Sequence, residues 1–267
     1  MAFAPGAFVG TAEYYVKYRP PYPQALISDL VERARVPRDG TVLDLACGTG
    51  RVVLALAPDI GEAWGVDLEP EMLEAAMQLN SRRPPGSATI HWIEADAESY
   101  CPPAPVDLIT LGDAFHRLDQ PKVARHALRW LNPGGALATL GCYNFMGGPE
   151  PWQRRVTGIM EEFTGRKLTA ASRPAPHTHP DEAVLAAAGF EDVATHSFDH
   201  VQEWTVDALI GFLHSTSVCS HRALAERAEE FDDRLRRALA SLEPSGIFRE
   251  VTRFGYTFGR KPLPAPK

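Results

Sequence analysis

Three aspartates and two glycines in the first hundred residues stand where side chains and bare backbone can grip a ligand. The stretch Val42-Leu43-Asp44-Leu45-Ala46-Cys47-Gly48-Thr49-Gly50 joins a short apolar run to an amphipathic one. Gly48 and Gly50 allow a sharp turn and put no Cβ between backbone and ligand. Asp44, closing the apolar run, can accept a hydrogen bond from a cationic or amino group. Asp67 closes the next apolar run, 17 residues after Gly50, where a carboxylate can take both hydroxyls of a ribose. Asp96, within Glu94-Ala95-Asp96-Ala97-Glu98, can accept from an exocyclic amine such as adenine N6. Leu68 and Met72 offer apolar surface to a purine face. The dinucleotide fingerprint G-x-G-x-x-G needs Gly or Ala at position 53, and this chain has Val53.

Groups that could move a proton are fewer. His116, in Gly112-Asp113-Ala114-Phe115-His116, is the candidate base or substrate contact, since an unperturbed imidazole titrates near about pH 6.5. His214 is a weaker candidate. His177 and His179 share a turn-rich segment with no third ligand at a suitable spacing, so no metal site is expected. Tyr143, Asn144, Phe145 and Met146, with Trp152 and Phe163, read either as an apolar lid over an acceptor or as core. Arg234, Arg236 and Arg237 alternate with acids and read as a solvated helix face.

These residues need a scaffold, and the chain alternates to supply one. Apolar runs at 41–46, 63–67, 89–94, 106–111 and 135–142 read as strands. The stripes in 22–34, 51–57, 69–80 and around Val123, Ala127, Leu128 and Leu131 read as helices. Asp119 and Pro121 mark a helix start. Such alternation implies right-handed βαβ units and a doubly wound sheet, whose ligands bind at the carboxyl ends of the strands. Beyond residue 148 the pattern predicts helices over 149–166, 181–188 and 221–242, and strands over 191–204 and 249–260. The expected organisation is one domain over 1–267. Its cofactor half is 1–142, cap or substrate elements occupy 143–190 and 203–245, and the last strands are 191–202 and 249–260.

The 267 residues are 45% hydrophobic and 23% charged, with a net charge of −7, which argues against a nucleic-acid polyanion as the main partner. No apolar stretch reaches the roughly 20 residues that span a bilayer. Residues 1–11 lack the basic, apolar pattern of a secretory signal, and the four scattered cysteines suit reduced thiols. A cytoplasmic protein without nucleic-acid or membrane partners is expected.

VLDLACGTGRV, GVDLEPEML, EADAESY, DLITLGDAFHRLD and LNPGGAL, in that order, resemble the sequential motifs of class I S-adenosylmethionine-dependent methyltransferases of the small-molecule, type 11-like group. Residues 15–23 (YVKYRPPYP) resemble an N-terminal signature of that group. The resemblance runs from about Tyr14 to Leu140. It implies a Rossmann-like, mostly parallel seven-stranded sheet with a helical cap inserted after the fifth strand, and S-adenosylmethionine as cofactor. On it, Ala46, Gly48, Thr49 and Gly50 would pass the cofactor's methionine part, and Asp67 would hold its ribose. Asp96 and Ala97 would bind adenine, and Gly112 would approach the sulfonium. Tyr15 and Arg19 would close over the methionine end, Arg19 meeting its carboxylate. Asp113 stands where relatives often carry an uncharged residue, a departure that reads either as a sign of a cationic or amine acceptor or as nothing. The implied activity is methyl transfer to N, O or C of a small-molecule metabolite, with secondary metabolism as its setting. A non-catalytic cofactor-binding module and a nicotinamide-dependent oxidoreductase remain as alternatives.

Overall fold

The computed structural model describes residues 6–84, 87–143, 148–167 and 180–264. Along the chain come α1 (Ala12–Tyr18), α2 (Gln24–Ala34), β1 (Thr41–Leu45), α3 (Arg51–Leu56), β2 (Glu62–Asp67), α4 (Pro70–Asn80) and β3 (Thr89–Glu94). They are followed by β4 (Val106–Gly112), a 3₁₀ turn (Phe115–Arg117), α5 (Gln120–Trp130) and β5 (Leu131–Tyr143). The remainder holds α6 (Pro151–Thr164), α7 (Pro180–Ala188), β6 (Glu191–Thr205), α8 (Val206–His214), α9 (His221–Leu224), α10 (Ala228–Ala240) and β7 (Ile247–Arg260).

The strands form one seven-stranded sheet in the order β3-β2-β1-β4-β5-β7-β6. Strands β1 to β5 run parallel, while β7 pairs antiparallel with both β5 and β6. The order reverses between β1 and β4, so their carboxyl ends open at the switch point where such sheets bind ligands. Val42, Leu43, Leu45, Leu108, Ile109 and Leu111 have no exposed surface, as expected of central parallel strands covered on both faces. Leu26, Ile27 and Leu30 of α2 and Val53 and Leu56 of α3 pack on one face with Tyr256 and Phe258 of β7. Val123 and Ala127 of α5 and Leu185 of α7 cover the other.

A third core lies apart from the sheet layers. Helices α6, α8 and α10 gather Trp152, Met160, Phe212, Leu213, Phe231 and Leu235 around Trp204 and Phe248 from the β6–β7 hairpin. The turns leading into these helices are chemically marked. Glu150 and Gln153 form a reciprocal capping box on α6, and the Thr205 hydroxyl accepts from the Ala208 N–H at α8. Such caps contribute about 1 kcal/mol each.

Four elements depart from the sequence reading, the first being α8 (Val206–His214), where no helix was expected. The helix expected over 221–242 breaks at Ala225, whose φ of +50° and ψ of −131° lie in a sparsely populated region that costs about 1–3 kcal/mol. Strand β5 begins at Leu131 rather than 135, because Leu131 pairs with Val106 across a register shift instead of continuing α5. Helix α1 buries no residue and so shows no apolar stripe by which to predict it. No described helix is long and apolar enough to cross a membrane.

Candidate functional site

The turn after β1 is built by backbone that few residues adopt. Ala46, Gly48 and Gly50 all have positive φ, at +52°, +55° and +74°. Gly48 has no atom within 4 Å of where a Cβ would stand, so its backbone faces open space. The turn is pinned from the next strand: Asp67 Oδ2 accepts from the Gly48 N–H at 2.7 Å and Oδ1 from the Glu69 N–H at 2.9 Å. Each oxygen keeps lone-pair capacity for a further donor. Burial raises the Asp67 pKa, with these backbone donors opposing it.

Asp44 has no exposed surface. Its Oδ1 accepts from the Thr110 hydroxyl at 2.7 Å, while no described group makes a hydrogen bond to Oδ2. Desolvation pushes this carboxyl up to about 7, with the Thr110 hydroxyl and, more weakly, the Val53 N–H opposing. A buried polar atom without a partner costs roughly 1–3 kcal/mol, so Oδ2 marks a place where a donor is wanted.

Asp44, Ala46 and Gly48 line a narrow cleft with Tyr15, Tyr22, Cys47, Arg51, Val52 and Gly112. A Cβ at Gly112 would stand 2.9 Å from the Tyr22 hydroxyl and 2.8 Å from Val52, so only bare backbone at the end of β4 leaves the cleft its shape. Tyr22 and Arg51 carry no weight in the sequence reading. The available signal for Arg51 was its place directly after Gly50, where α3 begins.

The N-terminal segment crosses this opening and is held on both sides. The Gly6 and Gly10 N–H groups donate to Glu69 and Glu71 of α4, each at 2.7 Å. Arg222 of α9 donates to the Gly6 carbonyl. Tyr14 Oη lies 2.9 Å from His221 Nε2, and a Cβ at Gly211 of α8 would stand only 2.2 Å from the Tyr18 ring. Arg19 points to the cap: its Nε donates to Ser215 Oγ at 2.8 Å, and its guanidinium sits 4.6 Å from both the Tyr15 and Phe212 ring centroids.

The other sequence candidates scatter more widely. Asp96, just beyond β3, accepts from the Glu98 N–H at 2.9 Å, and Ala97 is buried beside it. Leu68 is half exposed, whereas Met72 is 3% exposed and lies on the buried side of α4. Thr49 is fully buried and its hydroxyl has no described partner. His116 is exposed at the rim, outside the lining of the cleft, and its Nε2 accepts from Arg117 Nε at 3.3 Å. Asp113, at φ +54°, accepts from the Cys142 N–H at 3.2 Å. His214 is 1% exposed, with Nδ1 2.9 Å from the Cys219 carbonyl and Nε2 2.8 Å from Asp232; it ties α8 to α10. Trp152 and Phe163 are core residues of the cap. Residues Asn144, Phe145 and Met146, and both His177 and His179, lie outside the described residues.

Residues 42–135 match the family model described as a methyltransferase domain. Over 142 residues the chain is 34% identical to the trans-aconitate 2-methyltransferase of Azoarcus sp. (strain BH72), covering 47% of this chain; it spans about half, 52%, of that relative's length. A candidate type II methyltransferase from Anaeromyxobacter dehalogenans superposes with a TM-score of 0.60 at 25% identity, covering 92% of this chain and all of that one. An S-adenosylmethionine-dependent methyltransferase from Thiobacillus denitrificans, solved with S-adenosyl-L-homocysteine, shares the fold at a TM-score of 0.57 and 17% identity, covering 97% and 99% of the two chains. With its ordered motifs, its switch-point cleft and its seven-stranded sheet, the chain carries a methyltransferase domain over residues 42–135 and shares the fold of S-adenosylmethionine-dependent methyltransferases.

Proposed function

We propose that this protein transfers the methyl group of S-adenosylmethionine to N, O or C of a small-molecule metabolite. The observation that carries the reading is the pairing of an open Gly48 backbone with the unpartnered Asp44 Oδ2 in one cleft. A ligand with an amino-acid end supplies the donor that Oδ2 lacks, and the free lone pairs of Asp67 suit the hydroxyls of a ribose. Asp96, Ala97 and Leu68 lie beyond β2 and β3 for the adenine, and Gly112 adjoins the sulfur end. Tyr15 covers the cleft.

When bound, S-adenosylmethionine supplies a methyl carbon on a cationic sulfur. The acceptor's lone pair forms the new bond to that carbon as the carbon–sulfur bond breaks. Alignment of the reacting atoms is the main demand on the protein, worth up to roughly 7–11 kcal/mol. An acceptor that must lose a proton also needs a base. His116 is the candidate, but its Nε2 already takes a proton donor from Arg117, an arrangement better suited to contacting the acceptor than to removing its proton.

A small acceptor fits the relative named for trans-aconitate and the net charge of −7. The test is transfer of label from methyl-labelled S-adenosylmethionine into a fractionated pool of cellular metabolites. Label in a small-molecule fraction, abolished by Asp67→Ala, is the expected result. Label only in protein or nucleic acid overturns the acceptor class.

A further inference from the structure

Among the described residues, β7 pairs with β6 alone before Arg253, and the two faces of this antiparallel pair differ. One face carries Trp204 and Phe248 into the cap core. The other presents three matched rows to solvent: Asp199 opposite Arg253, Val201 opposite Val251, and Glu203 opposite Arg249. Val201 and Val251 are 65% and 66% exposed. On either side of them the charged side chains are held in place. Arg253 donates to both oxygens of Asp199, at 2.7 and 3.2 Å, and Arg249 donates to Glu203 at 2.7 Å. In these rows both acids lie on β6 and both bases on β7. None of the six residues lines the cofactor cleft.

We infer that two copies of this chain associate through this face, stacked face to face about a two-fold axis parallel to the strands. Such an axis, set between β6 and β7, lays β6 of one copy over β7 of the other. Asp199 and Glu203 of each copy then face Arg253 and Arg249 of the other, and Val201 faces Val251. Four valines close into one apolar centre, with opposite charges meeting on either side of it. Stacked sheets lie about 10 Å apart, a gap that facing valines fill and that arginine with a carboxylate spans. A partner of a single charge sign suits only one of the two strands, whereas a second copy suits both. Edge-to-edge pairing of β6, the outermost strand, is the competing arrangement. In antiparallel register about Val201 it sets Asp199 against Glu203 of the other copy, and like charges directly opposite destabilise a sheet. Three rows make a small contact, at the weak and transient end of protein interfaces, so the dimer is concentration-dependent.

Sedimentation velocity of the purified full chain over a concentration series measures the association. A monomer–dimer equilibrium is expected, with its midpoint between about 1 and 100 µM. Val201→Glu adds an acid to the apolar centre from each copy and should weaken the dimer by about tenfold or more. Because the site is exposed, its melting temperature should barely move. A second variant exchanges all four charges in one chain, D199R, E203R, R249E and R253E, and so keeps every ion pair within the copy. It should self-associate like the wild type. Mixed with wild-type chains carrying a different fluorophore, it should form no mixed dimers, since every facing charge pair then has like sign. A wild-type chain that stays monomeric above about 100 µM, association untouched by Val201→Glu, or free mixing of the two chains overturns the inference. Preferential formation of mixed dimers overturns it too, and identifies β6 edges as the contact instead.

Discussion

The turn at residues 44–50 lines the cleft and the α6, α8–α10 assembly holds the segment that covers it, and the two are built on opposite plans. In the turn, the important groups follow one another along the chain: Asp44, Ala46, Gly48 and Arg51 all line the same space. Its ties run to the two neighbouring parallel strands, from Gly48 to Asp67 and from Asp44 to Thr110. The cap is assembled from distant parts. Trp204, Thr252 and Gln153 converge on the Glu250 carboxylate, and Tyr14 and Arg19 reach residues 221 and 215. The difference teaches that binding chemistry and scaffold stability can be mutated separately in this chain, since the third core packs apart from the two that sandwich the sheet.

The sharpest way to break that division is in the cap core. Phe231, fully buried against Phe163 and His214, should cost about 3–5 kcal/mol of stability as Phe231→Ala, read by chemical denaturation. The folded fraction should still bind S-adenosylhomocysteine within about threefold; a large affinity loss would show that the cap shapes the cofactor cleft directly. Asp67→Ala should do the reverse. Affinity should fall by about 100-fold in calorimetry, as two ribose contacts and the Gly48 clamp disappear together, with a smaller change in melting temperature. Unchanged affinity removes Asp67 from the ribose.

Acidity sharpens the comparison further. Burial raises Asp44 from 3.8 to about 7, so between those pH values the folded chain holds a proton that the unfolded chain has released. Stability of the ligand-free protein therefore falls as pH rises through that window and levels off above it. Asp67 shifts in the same direction. Asp44→Asn should flatten the slope measured by denaturation at stepped pH, leaving the part due to Asp67. An ammonium-bearing ligand favours the ionised carboxylate, so S-adenosylhomocysteine should bind more tightly at pH 8 than at pH 6 in the wild type and not in Asp44→Asn. The smallest effect belongs to His116. Exposed and engaged with Arg117, it should cost less than about tenfold in turnover as His116→Ala, against the 10²–10⁴-fold typical of a general base. A loss in that larger range makes it the base.

The same contrast explains what was legible in the sequence. Parallel strands buried on both faces read as continuous apolar runs, and the groups at their ends keep fixed spacing, so Asp44, Gly48, Asp67 and Asp96 stood out from local pattern alone. Apolar spacing on a helix does not say whether a side chain such as Met72, 3% exposed, faces ligand or core. The partner of Arg19 in the fold, Ser215, lies 196 positions away, beyond the reach of any local pattern. The break at Ala225 carried no glycine or proline to announce it. Nothing local about Glu250 or Trp204 reveals that they meet.

Calorimetric titration of the purified protein with S-adenosylhomocysteine and, separately, with NADH tests the central claim most directly. A cleft built around Asp44, Gly48 and Asp67 for an adenosyl amino acid predicts one-to-one binding of S-adenosylhomocysteine at micromolar affinity and none of NADH. Binding of NADH, or of neither compound, contradicts it.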